Sequence, residues 1–537
     1  MPTLNWIGKE AVVNHDKEVP FRLLKKVKAY SVGKNSQNLI IHGDNLEALK
    51  ALMPYYQGKI KCIYIDPPYN TGNESWVYND KVNSPKIKKW LGKVVGGESE
   101  DLCRHDKWLC MMYPRLKLLR DLLSEDGVIF VSVDDNEQSN LNLLVKEIFG
   151  EENIIAQLVW KKKAGGGNAA RFFADDHEYI LCYSKDIQKL NPFFVSLEEK
   201  DTERYTMQDE YIKERGPFLT KNLTQEGSLD ERPNLRYEIL DPEGKPIKKE
   251  NGQYPQWRVE KKQFERLLAE GRIYFNKVRR KEGSTYYTAN TKQYLYDSVD
   301  DEGTPILRKK KPRTILDFVV TGSSRQELSE LFKTKGYQGA VFDYPKPVKL
   351  IFHLIDIATK ENDIILDSFA GSGTTAHAVM ELNKKDKQNR KFILIEMEDK
   401  VVKDVTAERV KRAINAYKYK GGFEFCELDK PLFNEEGQIE EECSFEQLAT
   451  YIYFTETNTN LDKKSANKHL IGEYSETEFY LLFKEKGKNI LNKDFLKKIN
   501  KNNKKKVIYA DKCLIDDMIL EKLKIQFKQI PYEVKVY

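Results

Sequence analysis

The apolar run Ile60–Ile65 stops against Asp66-Pro67-Pro68-Tyr69, and no other junction constrains the fold as much. The run reads as a buried strand with the tetrapeptide at its exposed end. The two prolines fix φ and hold the carbonyl of Pro67 outward. An acidic side chain beside a rigid carbonyl suits one demanding task, the activation of an exocyclic amino group on a planar ring. Such a nitrogen is a poor nucleophile because its lone pair is delocalised. Asp66 accepts one N–H and Pro67 the other, drawing the nitrogen towards a tetrahedral geometry, while Tyr69 offers a face for stacking. The plainer reading is a strand followed by a proline turn.

A second stretch weighs against the plainer reading. Ile364–Asp367 reads as another short buried strand, Ser368-Phe369-Ala370-Gly371-Ser372-Gly373-Thr374-Thr375 as a glycine-rich turn, and Ala376, Val379 and Met380 as the start of a helix. Strand, glycine turn and helix form the layout that cradles a nucleoside cofactor at the carboxyl edge of a parallel sheet. Gly371 and Gly373 permit close approach of backbone to ligand. The next strand, 392–395, ends in Glu396, placed to accept from both ribose hydroxyls. The turn is not GxGxxG and lacks the lysine of a phosphate-binding loop. S-adenosyl-L-methionine, which carries no phosphate, suits it better.

The two motifs together resemble those of the DNA amino-methyltransferases. The catalytic tetrapeptide precedes the cofactor turn, which resembles the β-class order. Residues 38–45, ending in Asp44 and Asn45, are similar to the family's strand that contacts the cofactor adenine. Residues 132–137 match its segment of core support, and 161–167 with His177-Glu178-Tyr179-Ile180 resemble the lining of the target-base pocket, implying roles for Asn70, Lys161, Gly166, His177 and Tyr179. Phe342-Asp343-Tyr344-Pro345-Lys346-Pro347 leads into helix Val348–Ala358 like the segment that closes over the methionine end, implying a contact from Lys346 to the cofactor carboxylate. The extended Asp-Pro-Pro-Tyr-Asn-Thr-Gly is most similar to the modification subunits of Type III restriction systems. The resemblance implies an α/β fold: a Rossmann-like, S-adenosylmethionine-dependent core in circularly permuted motif order, with an inserted target-recognition domain and a small carboxyl-terminal α/β domain. It further implies a homodimer, double-stranded DNA as substrate and a helicase–nuclease restriction subunit as partner. Asp at the head of the tetrapeptide favours adenine N6 over cytosine N4. A solitary or phage-defence methyltransferase, or a catalytically silent DNA-binding protein, would carry related motifs.

Length and charge agree with this reading. A chain of 537 residues exceeds what one core supports and suggests about three domains. The net charge of +6 permits nucleic-acid binding only where cations gather on one face. Seven cysteines without CxxC pairing argue for a reducing compartment and against a zinc site or disulfide framework. No metal site is expected; Asp134 and Asp135 read as capping residues. No stretch reads as a signal peptide or a membrane span, so a cytoplasmic protein is expected.

The chain divides by character into an arm (1–32), a first core half (33–190), an insertion (191–335), a second core half (336–420) and a carboxyl-terminal unit (421–537). Within the insertion, Arg204, Arg236, Trp257, Arg258, Arg279 and Arg280 interleave cations with aromatics. Cations neutralise phosphates and arginine reads guanine edges, so these are the candidate DNA contacts. His177 lies among acids and aromatics; a histidine satisfied at a strand edge explains it better than a general base.

Overall fold

The computed structural model describes residues 3–530 apart from 34–35, 72–88, 90–91, 95–102, 166–171, 226–232, 250–251, 281–282, 300–304, 335–340, 434–438, 440–442, 462–468 and 484–487. The chain forms two compact units, 1–192 joined with 313–537, and 193–312.

The first unit is built on a ten-stranded mixed sheet. Its strands are β1 (Arg22–Lys26), β2 (Leu39–His42), β3 (Ile60–Ile65), β4 (Leu123–Val133), β5 (Ile154–Lys161), β6 (His177–Ser184), β7 (Ile315–Leu316), β8 (Ile364–Asp367), β9 (Lys391–Glu396) and β10 (Glu424–Pro431). They lie in the order β1-β10-β2-β9-β8-β3-β4-β6-β5-β7. From β10 to β4 the strands run parallel, and β1 and β6 run against them. Parallel strands are covered on both faces, which is why 60–65 and 128–133 read as continuous apolar runs. Ile63, Ile65, Ile129, Val131 and Ile395 share one core with helices α1 (Asn45–Tyr56), α2 (Arg104–Leu122) and α3 (Gln138–Phe149). The alternating Cys62, Tyr64, Phe130 and Leu394 are equally buried and, by the two-residue period, face the other side. Helices α4 (Val348–Ala358) and α5 (Thr374–Asp386) pack together.

Several expected boundaries move. Residues 313–335 do not belong with the insertion: β7 pairs in parallel with β5, and Trp160 Nε1 donates to the Val319 carbonyl at 2.8 Å. Residues 22–26 of the arm and 424–431 of the carboxyl-terminal unit join the main sheet, β1 pairing antiparallel with β10. Strand β4 is irregular at its start, its register stepping from Leu123 opposite Ile60 to Val128 opposite Cys62. Beyond β10, Leu470–Tyr474, Thr477–Leu481, Lys505–Ala510 and Ile525–Gln529 form a four-stranded sheet.

The second unit carries a three-stranded antiparallel sheet, with Thr285–Tyr294 between Ile273–Arg279 and Phe218–Asn222. Leu223, Ile239, Trp257, Phe264, Ile273 and Ala289 form its core.

Candidate active site

The parallel sheet brings together two turns that lie far apart in sequence. Strands β3 and β8 are neighbours, Ile365 opposite Cys62 and Leu366 opposite Ile63. Asp66 and Asp367 therefore emerge side by side at the carboxyl edge, where open α/β sheets bind ligands. A cleft opens there, lined by Asp66, Lys346, Asp367, Phe369, Gly371 and Thr374 among others.

At the first turn the side chains form a charged network. The Tyr69 hydroxyl lies 2.7 Å from Asp66 Oδ1 and 3.1 Å from Glu178 Oε2. Lys346 Nζ donates to the Tyr69 hydroxyl at 2.9 Å and pairs with Asp66 Oδ2 at 2.9 Å and Glu178 Oε2 at 3.3 Å. Its ammonium lies 4.9 Å from the centre of the Tyr69 ring and 5.8 Å from that of Trp160. Burial opposes the Lys346 charge, but Asp66 and Glu178 outweigh it and hold the pKa above the ordinary lysine value. Burial, reinforced by the same two carboxylates, pushes the Tyr69 phenol well above its usual range. Below the turn, Trp108 Nε1 donates to the Pro68 carbonyl at 2.6 Å. The turn ends at Asn70, whose φ of 58° is left-handed.

At the second turn the side chains serve the backbone. Asp367 Oδ1 accepts from Phe369 N at 3.0 Å and Oδ2 from the Thr375 hydroxyl at 2.5 Å. Glu396 accepts from Gly371 N and Glu398 N, each at 2.9 Å. Burial raises both carboxyls to about 7. Arg409, fully buried, donates from Nη1 to the Ser372 hydroxyl at 2.8 Å and the Thr374 hydroxyl at 2.7 Å. The Thr406 hydroxyl donates to the Gly371 carbonyl at 2.6 Å. Gly373 has φ 77°, and a Cβ there would meet the Thr406 carbonyl at 3.2 Å.

The structure places the sequence-derived candidates unevenly. Asp66, Tyr69, Lys346, Asp367, Phe369, Ala370, Gly371, Ser372 and Thr374 gather around the cleft. Lys346 turns its ammonium onto Asp66, Glu178 and Tyr69, the amino-group side of the site. Asp44 instead caps α1, accepting from Leu46 N at 2.9 Å, and pairs with the buried Arg115 at 3.3 Å. Asn45 is buried and donates to the Ser368 carbonyl at 3.1 Å, tying α1 to the glycine turn. Asn70 spends its amide on the Arg104 carbonyl and Glu137, so it supports the turn. Lys161 is exposed at the end of β5, and Gly166 lies outside the described residues. His177 and Tyr179 bond to each other at 3.0 Å, whereas Glu178 between them reaches Tyr69.

Sequence reasoning missed Glu178, although the two-residue strand period was a usable signal: positions 177 and 179 point one way and 178 the other. It also missed Arg409 and Arg115, buried cations with no local signature. In the second unit, Trp257 cannot stack on DNA. Its side chain is fully buried and Nε1 donates to the Tyr237 carbonyl at 2.8 Å, because a large ring with one satisfiable polar atom is natural core material. Arg204, Arg258 and Arg279 are exposed, Arg236 is half-buried, and Arg280 lies over the Tyr286 ring at 4.9 Å.

The DNA methylase family profile matches residues 60–408, a stretch that includes both turns. The Type III restriction-modification enzyme EcoPI Mod subunit of Escherichia phage P1 is 33% identical over 443 residues, 75% of this chain and 65% of the relative. The EcoP15I Mod subunit of Escherichia coli is 32% identical over 470 residues, 76% of this chain and 69% of that one. The Type II methyltransferase M.KpnI of Klebsiella pneumoniae is 30% identical over 386 residues, 71% of this chain and 85% of that one. The chain thus spans just under two thirds of the phage subunit. The resemblance read from the motifs is borne out: with both turns inside the matched segment and more than half of the sequence covered, this chain belongs to the DNA methylase family.

Proposed function

We propose that this protein transfers a methyl group from S-adenosyl-L-methionine to N6 of adenine in double-stranded DNA, as the modification subunit of a Type III-like restriction-modification system. One observation carries the reading. An N–H-bearing group, the Lys346 ammonium, already sits on Asp66 and the Tyr69 hydroxyl, beside the ring on which an extruded base would stack.

The cofactor fits the cleft on this structure's own chemistry. The glycine turn offers backbone with no lysine to hold a phosphate, and the adjoining Asp66 is an anion suited to a sulfonium. The buried Ser368 hydroxyl at the turn has no partner among the described residues. Residues 368–374 would hold the cofactor, with Glu396 fixing the turn and a candidate for the ribose. Bound there, S-adenosylmethionine supplies the electrophilic methyl group. Asp66 and the Pro67 carbonyl accept from the amino nitrogen, Tyr69 stacks on the ring, and preorganised acceptors stabilise the positive charge that develops. The exposed arginines of residues 193–312 contact DNA. The Mod relatives, named as subunits of restriction-modification enzymes, support a restriction-subunit partner, and the proposal extends to a homodimer acting in the cytoplasm; among the described residues no helix is long and apolar enough to cross a membrane.

The test is single-molecule sequencing of DNA from a methylation-free host expressing the protein, alone and with Asp66→Ala. N6-methyladenine at one motif, absent with the variant, is the expected result. Methylated cytosine would overturn the base, and no mark in either sample would overturn the activity of the isolated subunit.

A further inference from the structure

Glu178 gives the site a second carboxylate, and the proposed function as stated leaves it idle. It stands on β6 with its side chain 13% exposed, so it bridges the buried cluster and water. The Tyr69 hydroxyl lies between it and Asp66, at 3.1 and 2.7 Å. One phenolic proton thus serves two carboxylates, and among the described residues only the Lys346 ammonium compensates them from inside the site. Lys162 Nζ, at 3.7 Å from Glu178 Oε1, borders it on the outer side. A target amine that takes the place of the ammonium is neutral. Its arrival leaves Asp66 and Glu178 facing each other through a single hydroxyl, an arrangement with high affinity for one more proton.

Methylation of an amino group releases one proton. Resting on the methyl-transfer reading above, we propose that Glu178 takes this proton from Asp66 through the Tyr69 hydroxyl and hands it to solvent. The balance is complete. The nitrogen lone pair forms the N–C bond while the S–C pair stays on sulfur, leaving a positive charge on nitrogen. The nitrogen gives one N–H proton to the Asp66 carboxylate. Asp66 passes a proton to the Tyr69 oxygen as the tyrosine's own proton moves to Glu178, and Glu178 releases it to water. Tyr69 ends as it began. Its raised pKa suits a neutral relay that never rests as phenolate. Glu178 acts through Tyr69 and is a positioning and relay residue.

The experiment measures steady-state methylation of duplex DNA by the full-length wild type, Glu178→Gln, Glu178→Asp, Tyr69→Phe and the double variant Glu178→Gln/Tyr69→Phe. Cofactor binding and melting temperature serve as folding controls. Glu178→Gln is expected to lower kcat by about 10²-fold, the usual worth of a positioned proton acceptor, with KM for DNA and cofactor within about twofold. Glu178→Asp should recover most of that loss. The double variant should be no slower than the worse single variant, because both changes cut one relay. In a Glu178→Ala variant measured alongside, added formate should restore part of the lost kcat. An unchanged kcat in Glu178→Gln, multiplying losses in the double variant, or a loss confined to KM would each overturn the proposal. Failure of the wild type to methylate any DNA would instead overturn the function on which it rests.

Discussion

The two turns at the carboxyl edge of the sheet are built on opposite plans. Around Asp66-Pro67-Pro68-Tyr69 the backbone is stiffened by proline, and the side chains of Asp66, Tyr69, Glu178 and Lys346 bond to one another at the edge of the cleft. Around residues 368–375 the reverse holds: Asp367, Glu396, Thr406 and Arg409 spend their polar atoms on the turn, leaving backbone to face a ligand. A turn made rigid by its own prolines frees side chains for chemistry. A turn made flexible by glycine has to be held from outside.

This contrast predicts different failures. Removing a side chain at the first turn should abolish chemistry and spare the fold. Asp66→Ala deletes the acceptor aligned with the amino group, and loss of one preorganised acceptor typically costs about 10²- to 10³-fold in rate. Tritiated methyl transfer to DNA should fall by at least that much while the melting temperature and cofactor binding change little. A parallel loss of cofactor binding would show that the two turns are one structural unit and break the comparison.

Changing the backbone of the second turn should do the opposite. Gly373→Val places a β-branched residue at φ 77° and its Cβ at 3.2 Å from the Thr406 carbonyl. Strain of this kind costs on the order of 1–3 kcal/mol. The protein should melt earlier and bind cofactor poorly in a calorimetric titration, with the Asp66 network intact. Cofactor affinity equal to the wild type would mean that the turn tolerates distortion and does not cradle the ligand.

The same contrast explains what was legible in the sequence. The strands carrying both turns are apolar runs ended by proline or glycine, local signals that survive burial on both faces. The network around Asp66 was half legible, since Tyr69 is contiguous with Asp66 whereas Glu178 and Lys346 arrive from β6 and the loop before α4. Asp44 reads as a ligand contact because an acid after a strand is also a helix cap, and in this chain the cap and Arg115 claim it. Arg409 was illegible: a basic residue on an amphipathic helix looks solvated, and only the fold turns it inward. In the inserted segment cations and aromatics interleave as DNA-contact residues do, yet Trp257 is core and Arg280 packs on Tyr286. Composition alone does not separate packing from recognition.

A smaller effect sharpens the comparison through the supporting threonine. Thr406→Val keeps the shape of the side chain but removes the donor to the Gly371 carbonyl, leaving a buried acceptor unpaired. The expected cost is about 1–3 kcal/mol at most, near the lower end because a carbonyl has other lone-pair directions to fill. Denaturant titration should register it, and methyl transfer at saturating cofactor should not. A large fall in kcat would place Thr406 in the chemistry.

The gentlest probe is pH, because the second turn is held by carboxyls whose pKa burial raises. Asp367 and Glu396 rise to about 7 in the folded protein from ordinary values of 3.8 and 4.5. The folded state therefore holds protons that the unfolded chain gives up. Their contribution is fully present below the ordinary carboxylate range and is lost as pH rises through about 7. Melting temperature without cofactor should drift down by a few degrees from pH 5 to pH 8. Asp367→Asn and Glu396→Gln, which mimic the protonated forms, should each flatten part of that drift. Bound S-adenosylmethionine brings a positive sulfonium to the cleft and favours the ionised carboxyls, so its stabilising shift should grow with pH over the same interval. A cofactor shift independent of pH would leave the two carboxyls as props for the backbone alone, and the division of labour between the turns would be complete.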